Sequence, residues 1–234
     1  MEGAMTVEQG HLHRAKGVST ARSPGQSSPG DGVIGVVNIV DDDTSLRNAL
    51  SNLFSSVGLA VRMFGSAQEF EDADNPDEPS CLVVDVRLPG TSGLDLQSEL
   101  HRRGIDIPII VMTAHGDIPM SVRAMKAGAI DFLPKPFRDQ DMLDAVMKAI
   151  EVDRLHRGEV KEQETLEQRL ESLSPRELQV MTLATKGRMN KQIAGDLNLS
   201  EVTVKIHRAA AMKKMGAHNF AELVRVAERL GLGD

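Results

Sequence analysis

Leu82-Val83-Val84-Asp85-Val86-Arg87-Leu88-Pro89-Gly90-Thr91-Ser92-Gly93-Leu94-Asp95-Leu96 is the stretch that decides the fold. Leu82-Val83-Val84 is an apolar run of strand length, Asp85 follows it directly, and a helical pattern occupies 93–103. The same alternation extends to both sides. The other strand-like runs are Val36-Val37-Asn38-Ile39-Val40, Leu59 to Phe64, Ile109-Ile110-Val111-Met112 and Ile130-Asp131-Phe132-Leu133. Helical patterns occupy 44–57, 66–73, 117–127 and 139–155. Thr44 is placed to cap the first, where Leu46, Leu50, Leu53 and Phe54 share a face. This alternation over 34–155 predicts an α/β domain with a doubly wound, five-stranded parallel sheet and helices on both faces. Ligands of such sheets sit at the carboxyl ends of the strands, near the topological switch point.

The residues after the strands are chemically selective. Asp41, Asp42 and Asp43 follow the first run and Asp85 the third. Strands of a parallel sheet end on one edge, so these carboxylates should converge. Clustered carboxylates repel and demand a cation or a proton. Hard oxygen donors with open positions suit Mg²⁺. Taken singly, each Asp reads as a cap on the next helix or turn. The fourth run, however, ends Met112-Thr113-Ala114-His115-Gly116, offering a hydroxyl and a small residue, and the fifth ends Pro134-Lys135-Pro136, offering a cation. A carboxylate nucleophile, a metal, a hydroxyl and a lysine are the parts needed to accept a phosphoryl group. His115 reads as a surface residue at a strand exit.

The rest of the chain divides by pattern. Residues 1–33 are rich in Gly, Ser and Pro and read as a disordered extension. Residues 156–171 are highly charged, with Leu166, Leu170 and Leu173 at helical spacing, and read as a solvated, partly helical linker. Residues 172–234 read as all-α. Ser174-Pro175-Arg176-Glu177 is a capping box with Pro at the first helical position. Asn190 is placed to cap a short helix through Leu197, Ser200 a helix to about Met215, and Asn219 a last one. Two of these four helices are joined by the short break Asn198-Leu199-Ser200, which predicts a helix-turn-helix domain. On the helix from 200, Val204, Ala211 and Met215 form one stripe, and Val202, Ile206, Ala209 and Lys213 lie opposite beside Lys205. Periodicity leaves two readings open. If the first stripe is core, Ile206 points outward and suits a thymine methyl, while Lys205 reaches a base edge or a phosphate. If the second is core, the lysines are merely solvated.

Composition bounds the function. The chain has 234 residues, 41% hydrophobic and 26% charged, the mixture of a soluble globular protein. No run is long enough to span a membrane, and the N-terminus lacks the apolar core of a secretory signal. The single cysteine, Cys81, excludes an internal disulfide and suits a reducing cytoplasm. Trp and Tyr are absent, which argues against a single-strand platform of stacked aromatics. The net charge of −7 conceals an asymmetry. Residues 34–155 carry 11 Lys+Arg against 20 Asp+Glu, a net of −9, whereas 172–234 carry 10 against 6, a net of +4. The basic part is the one that could sit on DNA.

Val40-Asp41-Asp42-Asp43, the stretch 83–96, Met112-Thr113-Ala114-His115-Gly116-Asp117-Ile118 and the stretch 127–137 resemble a receiver domain of two-component response regulators, of flavodoxin-like fold. The resemblance implies that Asp85 accepts the phosphoryl group from a sensor histidine kinase. It implies that Asp41, Asp42, Asp85 and the backbone carbonyl of Arg87 hold Mg²⁺. It implies that Thr113, with the small Ala114 beside it, and Lys135 bind the phosphoryl oxygens, and that Phe132 is the aromatic switch residue. It also implies a cis peptide at Lys135-Pro136. Leu173-Ser174-Pro175-Arg176-Glu177, Asn190-Lys191-Gln192-Ile193-Ala194 and the stretch 199–208 resemble the four-helix DNA-binding domain of the LuxR class. Joined, the two resemble a FixJ-like response regulator, not an enzyme. The expected partners are then double-stranded DNA, a second copy of the chain once phosphorylated and, as a further option, RNA polymerase; no membrane is involved. Lys205, Ile206 and Ala209 are implied to face the groove, and Arg208 and Lys191 are candidates for phosphate. The competing readings are a Mg²⁺-dependent aspartyl phosphatase-like enzyme and a phosphorylation-independent adaptor.

Overall fold

The computed structural model describes residues 34–74 and 77–232. The expected disorder of 1–33 lies outside the described residues.

The chain alternates β1 (Val36–Val40), α1 (Thr44–Ser56), β2 (Ala60–Phe64), α2 (Ala67–Glu71), β3 (Ser80–Asp85), α3 (Gly93–Arg102), β4 (Ile109–Thr113), α4 (Ile118–Lys126), β5 (Asp131–Pro134) and α5 (Asp139–Glu171). The five strands pair in parallel in the order β2-β1-β3-β4-β5. Alternate residues of each strand enter opposite layers. Val37, Ile39, Cys81, Val83, Ile110 and Met112 pack with α1 and α5 through Leu50, Phe54, Met142 and Val146. Val40, Leu82, Val84 and Val111 pack on the other face with Leu96, Leu100 and Ala124. The strand order reverses between β1 and β3, so the carboxyl ends of those two strands form the switch point.

α1 begins differently from the expectation. Asp43, not Thr44, is its cap: Asp43 Oδ1 accepts from the Ser45 amide at 2.8 Å and the Leu46 amide at 3.2 Å. The Asp43 carboxylate reaches amides that would otherwise lack partners, and Thr44 becomes the first helical residue.

α5 does not stop at 155. It is one helix of 33 residues running through the whole charged segment. Met142, Ala145, Val146, Ala149 and Ile150 bury one face against the sheet. Leu166 is also buried, and Leu170 packs into the C-terminal core. That second face lies about a third of a turn round the axis from the first. The leucines expected on a solvated linker are therefore docking residues.

The C-terminal part comprises α6 (Pro175–Thr185), α7 (Asn190–Leu197), α8 (Glu201–Met215) and α9 (Phe220–Arg229). Ser174, Ser200 and Asn219 cap α6, α8 and α9 as expected. α7 is capped one residue earlier: Met189 holds the position, and its amide donates to Gln192 Oε1 at 2.9 Å. Asn198 ends α7 in the left-handed region (φ 52°), which makes the sharp turn before α8. Two small clusters hold the helices together, one around Met181, Met215 and Leu223 and one around Val180, Ile193 and Val204.

Candidate functional site

Val40 pairs with Val84 in the β1–β3 register, which sets Asp41 and Asp85 side by side at the switch point. Asp41 is fully buried, Asp85 is 7% exposed, and Asp42 is exposed. One carboxylate oxygen from each lies within 4.8 Å of the others. Lys135, just past β5, donates from Nζ to Asp41 Oδ2 at 2.7 Å and to Asp85 Oδ2 at 3.0 Å. Burial works against the Lys135 ammonium. The hydrogen bonds and charges of Asp41 and Asp85 outweigh it and hold its pKa above the ordinary lysine value.

The two buried carboxylates are not equivalent. Asp41 has both oxygens engaged, because Oδ1 accepts from the Asp43 amide at 2.8 Å. Asp85 Oδ1 is buried with no hydrogen-bond partner among the described residues. A buried polar oxygen left in that state is costly. Of the two buried carboxylates, Asp85 is therefore the one with an oxygen not already engaged. Three carboxylates of this kind fit a hard, oxygen-seeking divalent ion such as Mg²⁺ and not a soft metal.

The loops around Asp85 are shaped by close approaches. A Cβ at Gly93 would lie 2.2 Å from the Asp85 carbonyl oxygen, so only glycine lets α3 start against the end of β3. Arg87 is exposed on the intervening loop and bridges to Ser92. Thr113 is buried at the end of β4; its Oγ1 accepts from the His115 amide at 3.2 Å, and its carbonyl accepts from the Lys135 amide at 2.7 Å. Ala114 and His115 are exposed. Phe132 is half-buried, and a Cβ at Gly116 would meet its ring at 2.9 Å. The loop thus lies directly on the aromatic side chain. Lys135-Pro136 is cis. Asp43 leaves the carboxylate group, since its oxygen serves the helix. The sequence reading missed Arg47, whose guanidinium donates to the Asp41 carbonyl and to Thr44 Oγ1. An arginine one turn into an amphipathic helix carries no pattern that would single it out.

On α8 the structure decides between the two stripes. Val204, Ala211 and Met215 are buried, while Val202 and Ile206 are 66% and 62% exposed. Lys205, Ala209, Lys213 and Lys191 are exposed. Arg208 is half-buried and makes contacts within its own domain. Its guanidinium lies 3.9 Å over the Phe220 ring and donates to Asn190 Oδ1 at 3.4 Å. Both contacts are internal and tie α8 to α7 and α9.

No helix among the described residues is long and apolar enough to cross a membrane. The family described as response regulator receiver domain matches residues 37–147, and that described as bacterial regulatory proteins, luxR family, matches 171–227. Nodulation protein W of Bradyrhizobium diazoefficiens is 57% identical over 197 residues, covering 84% of this chain and 87% of its own. The transcriptional regulatory protein FixJ of Rhizobium meliloti is 43% identical over 198 residues, covering 84% and 97%. Among solved structures, the response regulator StyR superposes with a TM-score of 0.77 at 48% identity, covering 83% of this chain and 98% of its own.

Proposed function

The chain belongs to the response regulators that join a receiver domain to a LuxR-type DNA-binding domain, and from that premise we propose that Asp85 accepts a phosphoryl group from a sensor histidine kinase and thereby controls binding to double-stranded DNA. The observation that carries the assignment is the orphaned, buried Asp85 Oδ1 beside the paired Asp41. The chain is read as a receiver over 34–155, a helical connector over 156–171 and a DNA-binding domain over 172–234, acting in the cytoplasm as a transcriptional regulator.

In the transfer, an Asp85 oxygen bonds to phosphorus as the phosphorus–nitrogen bond of a phosphohistidine breaks. The electron pair stays on the imidazole nitrogen, and Asp85 becomes an acyl phosphate. Asp41, Asp42, Asp85 and the Arg87 carbonyl would hold Mg²⁺, which when bound neutralises charge on the phosphoryl oxygens. Lys135 bridges two carboxylates beforehand and is within reach of the added group. Thr113, whose hydroxyl accepts from His115 and keeps its own proton free to donate, turns to a phosphoryl oxygen. Movement of the 113–116 loop then shifts its packing on Phe132. The signalled state is a pair of chains on a two-fold DNA site, where RNA polymerase can be engaged.

Asp85→Asn keeps the shape and removes the nucleophile. The variant is expected to take no label from acetyl phosphate or a phosphorylated kinase in Mg²⁺, read on a phosphate-retarding gel because the chain has no Trp or Tyr to report optically. Labelling equal to wild type would move the acceptor to another carboxylate. The same preparations should release no phosphate from a generic phosphomonoester over many turnovers.

A further inference from the structure

We propose that Arg47 is a positioning residue of the acidic pocket: by holding the Asp41 main-chain carbonyl, it sets the direction in which Asp42 presents its carboxylate to a divalent cation. The proposal rests on the reading of that pocket as a Mg²⁺ site and adds to it a residue that no strand end supplies.

Asp41, Asp42 and Asp43 make up the whole connection between β1 and α1. Adjacent carboxylates repel one another, so this connection needs restraints to keep its two metal-facing residues in place. Asp41 has a restraint on every polar atom. Its amide donates to the Phe64 carbonyl at 3.2 Å, its Oδ1 accepts from the Asp43 amide at 2.8 Å, and its Oδ2 accepts from Lys135 Nζ at 2.7 Å. The remaining group, the carbonyl, accepts from Arg47 Nη1. Asp42 is exposed, with no hydrogen bond to its carboxylate among the described residues. Its position is therefore set through the main chain. The peptide unit is planar, so the Asp41 carbonyl, the Asp42 amide and the Asp42 Cα turn as one body. Fixing that carbonyl fixes where Asp42 begins.

Arg47 is shaped for this task. It is half-buried in the first turn of α1, and its side chain turns back towards the end of β1. Nη1 serves the Asp41 carbonyl while Nη2 donates to Thr44 Oγ1 at 2.9 Å. Two bonds from one planar guanidinium fix its orientation as well as its distance. The turn after β2 closes on the same group. A Cβ at Gly65 would stand 3.8 Å from Arg47 Nη1 and 3.5 Å from each carboxylate oxygen of Glu69. The Gly65 amide in turn donates to Glu69 Oε2 at 2.7 Å.

Two effects of opposite sign meet here. Arg47 brings a positive charge near a cation site, and repulsion alone would make its removal tighten Mg²⁺ binding. Restraint of the Asp41–Asp42 peptide predicts the reverse. Solvent and salt screen the repulsion at this exposed loop, whereas the peptide acts directly on a ligand, so the restraint dominates.

Calorimetric titration of Mg²⁺ into the unphosphorylated full chain reads the metal without any phosphoryl transfer. Arg47→Gln should raise the Mg²⁺ dissociation constant about tenfold, the low end of what losing an outer support of a metal ligand costs. Arg47→Lys keeps a donor for the carbonyl but loses the fork, and should fall between Arg47→Gln and wild type. Amide exchange over residues 41–44 should quicken in Arg47→Gln. Its labelling by acetyl phosphate should recover as Mg²⁺ is raised, because Arg47 supports a metal ligand and not the phosphoryl group. Circular dichroism checks the fold, and Arg47→Lys carries the comparison if Arg47→Gln does not fold. An unchanged or tighter Mg²⁺ dissociation constant in the folded variant overturns the proposal and leaves the metal site standing. So does a labelling loss that no Mg²⁺ concentration repairs. Wild type that takes up no Mg²⁺ overturns the metal reading, and the proposal with it.

Discussion

Glu177 lies in a cage of donors at the start of α6. Its Oε2 accepts from the Ser174 amide at 2.7 Å and from Lys214 Nζ at 2.6 Å. The Lys214 hydrogen bond, followed by the Ser174 amide, lowers its pKa from 4.5 to about 2. The unfolded chain therefore binds a proton at a pH where the folded domain does not. Glu177 contributes stability above about pH 4.5, and that contribution drains away as pH falls towards about 2. Urea unfolding of wild type and Glu177→Gln should differ by a constant amount above about pH 5 and converge below it. Curves that stay parallel through the acid range would remove the pairing from the stability of this domain. The capping box itself was legible, because Ser-Pro-Arg-Glu fixes both partners by spacing; Lys214 was not, because it arrives from α8. The same divide runs through the acidic pocket. Asp85, Lys135 and Thr113 stand directly after apolar runs, so one edge of one sheet collects them. The division of labour within Asp41-Asp42-Asp43 depends on which amides turn back, and no spacing rule states that. Arg208 looked free for the same reason: its partner Phe220 lies on another helix.

Helices and strands were read within a few residues where a turn signal closed them, and α5 was not, because nothing closes it. Dense charge with only a short row of leucines reads as solvated, partly helical chain, yet a helix needs only local hydrogen bonds and two anchors. The anchors are present: Asp153 accepts from the Ser80 amide at 2.7 Å and from Arg157 at 2.6 Å, and Arg169 donates to the Met215 carbonyl at 3.1 Å. Between them sits Gly158, helical, with open space where its Cβ would be. Glycine costs a helix interior about 0.5–1 kcal/mol relative to alanine. Gly158→Ala should therefore stabilise the middle of α5 locally. Amide exchange over residues 154–162 should slow by about two- to fivefold, the same free energy expressed as an opening equilibrium. Unchanged exchange there would mean that the two anchored ends already fix the segment between them.

At the scale of the molecule, the charge contrast between a −9 front and a +4 back was legible from composition, but its consequence depends on exposure. Among the described residues Val202 and Ile206 are exposed, so the receiver does not cover this face of α8. What it exerts on DNA binding is then electrostatic, and electrostatic repulsion fades with salt. A fragment from residue 160 onward keeps Leu166 and Leu170 on their domain and drops the acidic part. It should bind duplex DNA more tightly than the unphosphorylated chain at about 50 mM salt, and the two should converge by roughly 0.3 M. A gap that persists at high salt would point to steric cover. Phosphorylation sharpens the argument, because it adds further negative charge to the receiver. On charge alone it should weaken binding. Activation must therefore come from pairing, which places two reading helices at fixed spacing. A duplex with one half-site should be bound no better after phosphorylation. A two-fold site with half-sites about 10–10.5 bp apart should gain strongly. Titrating both duplexes with chain treated and untreated with acetyl phosphate separates the cases: equal gains on the single half-site would mean that the receiver changes the reading domain itself, within one chain.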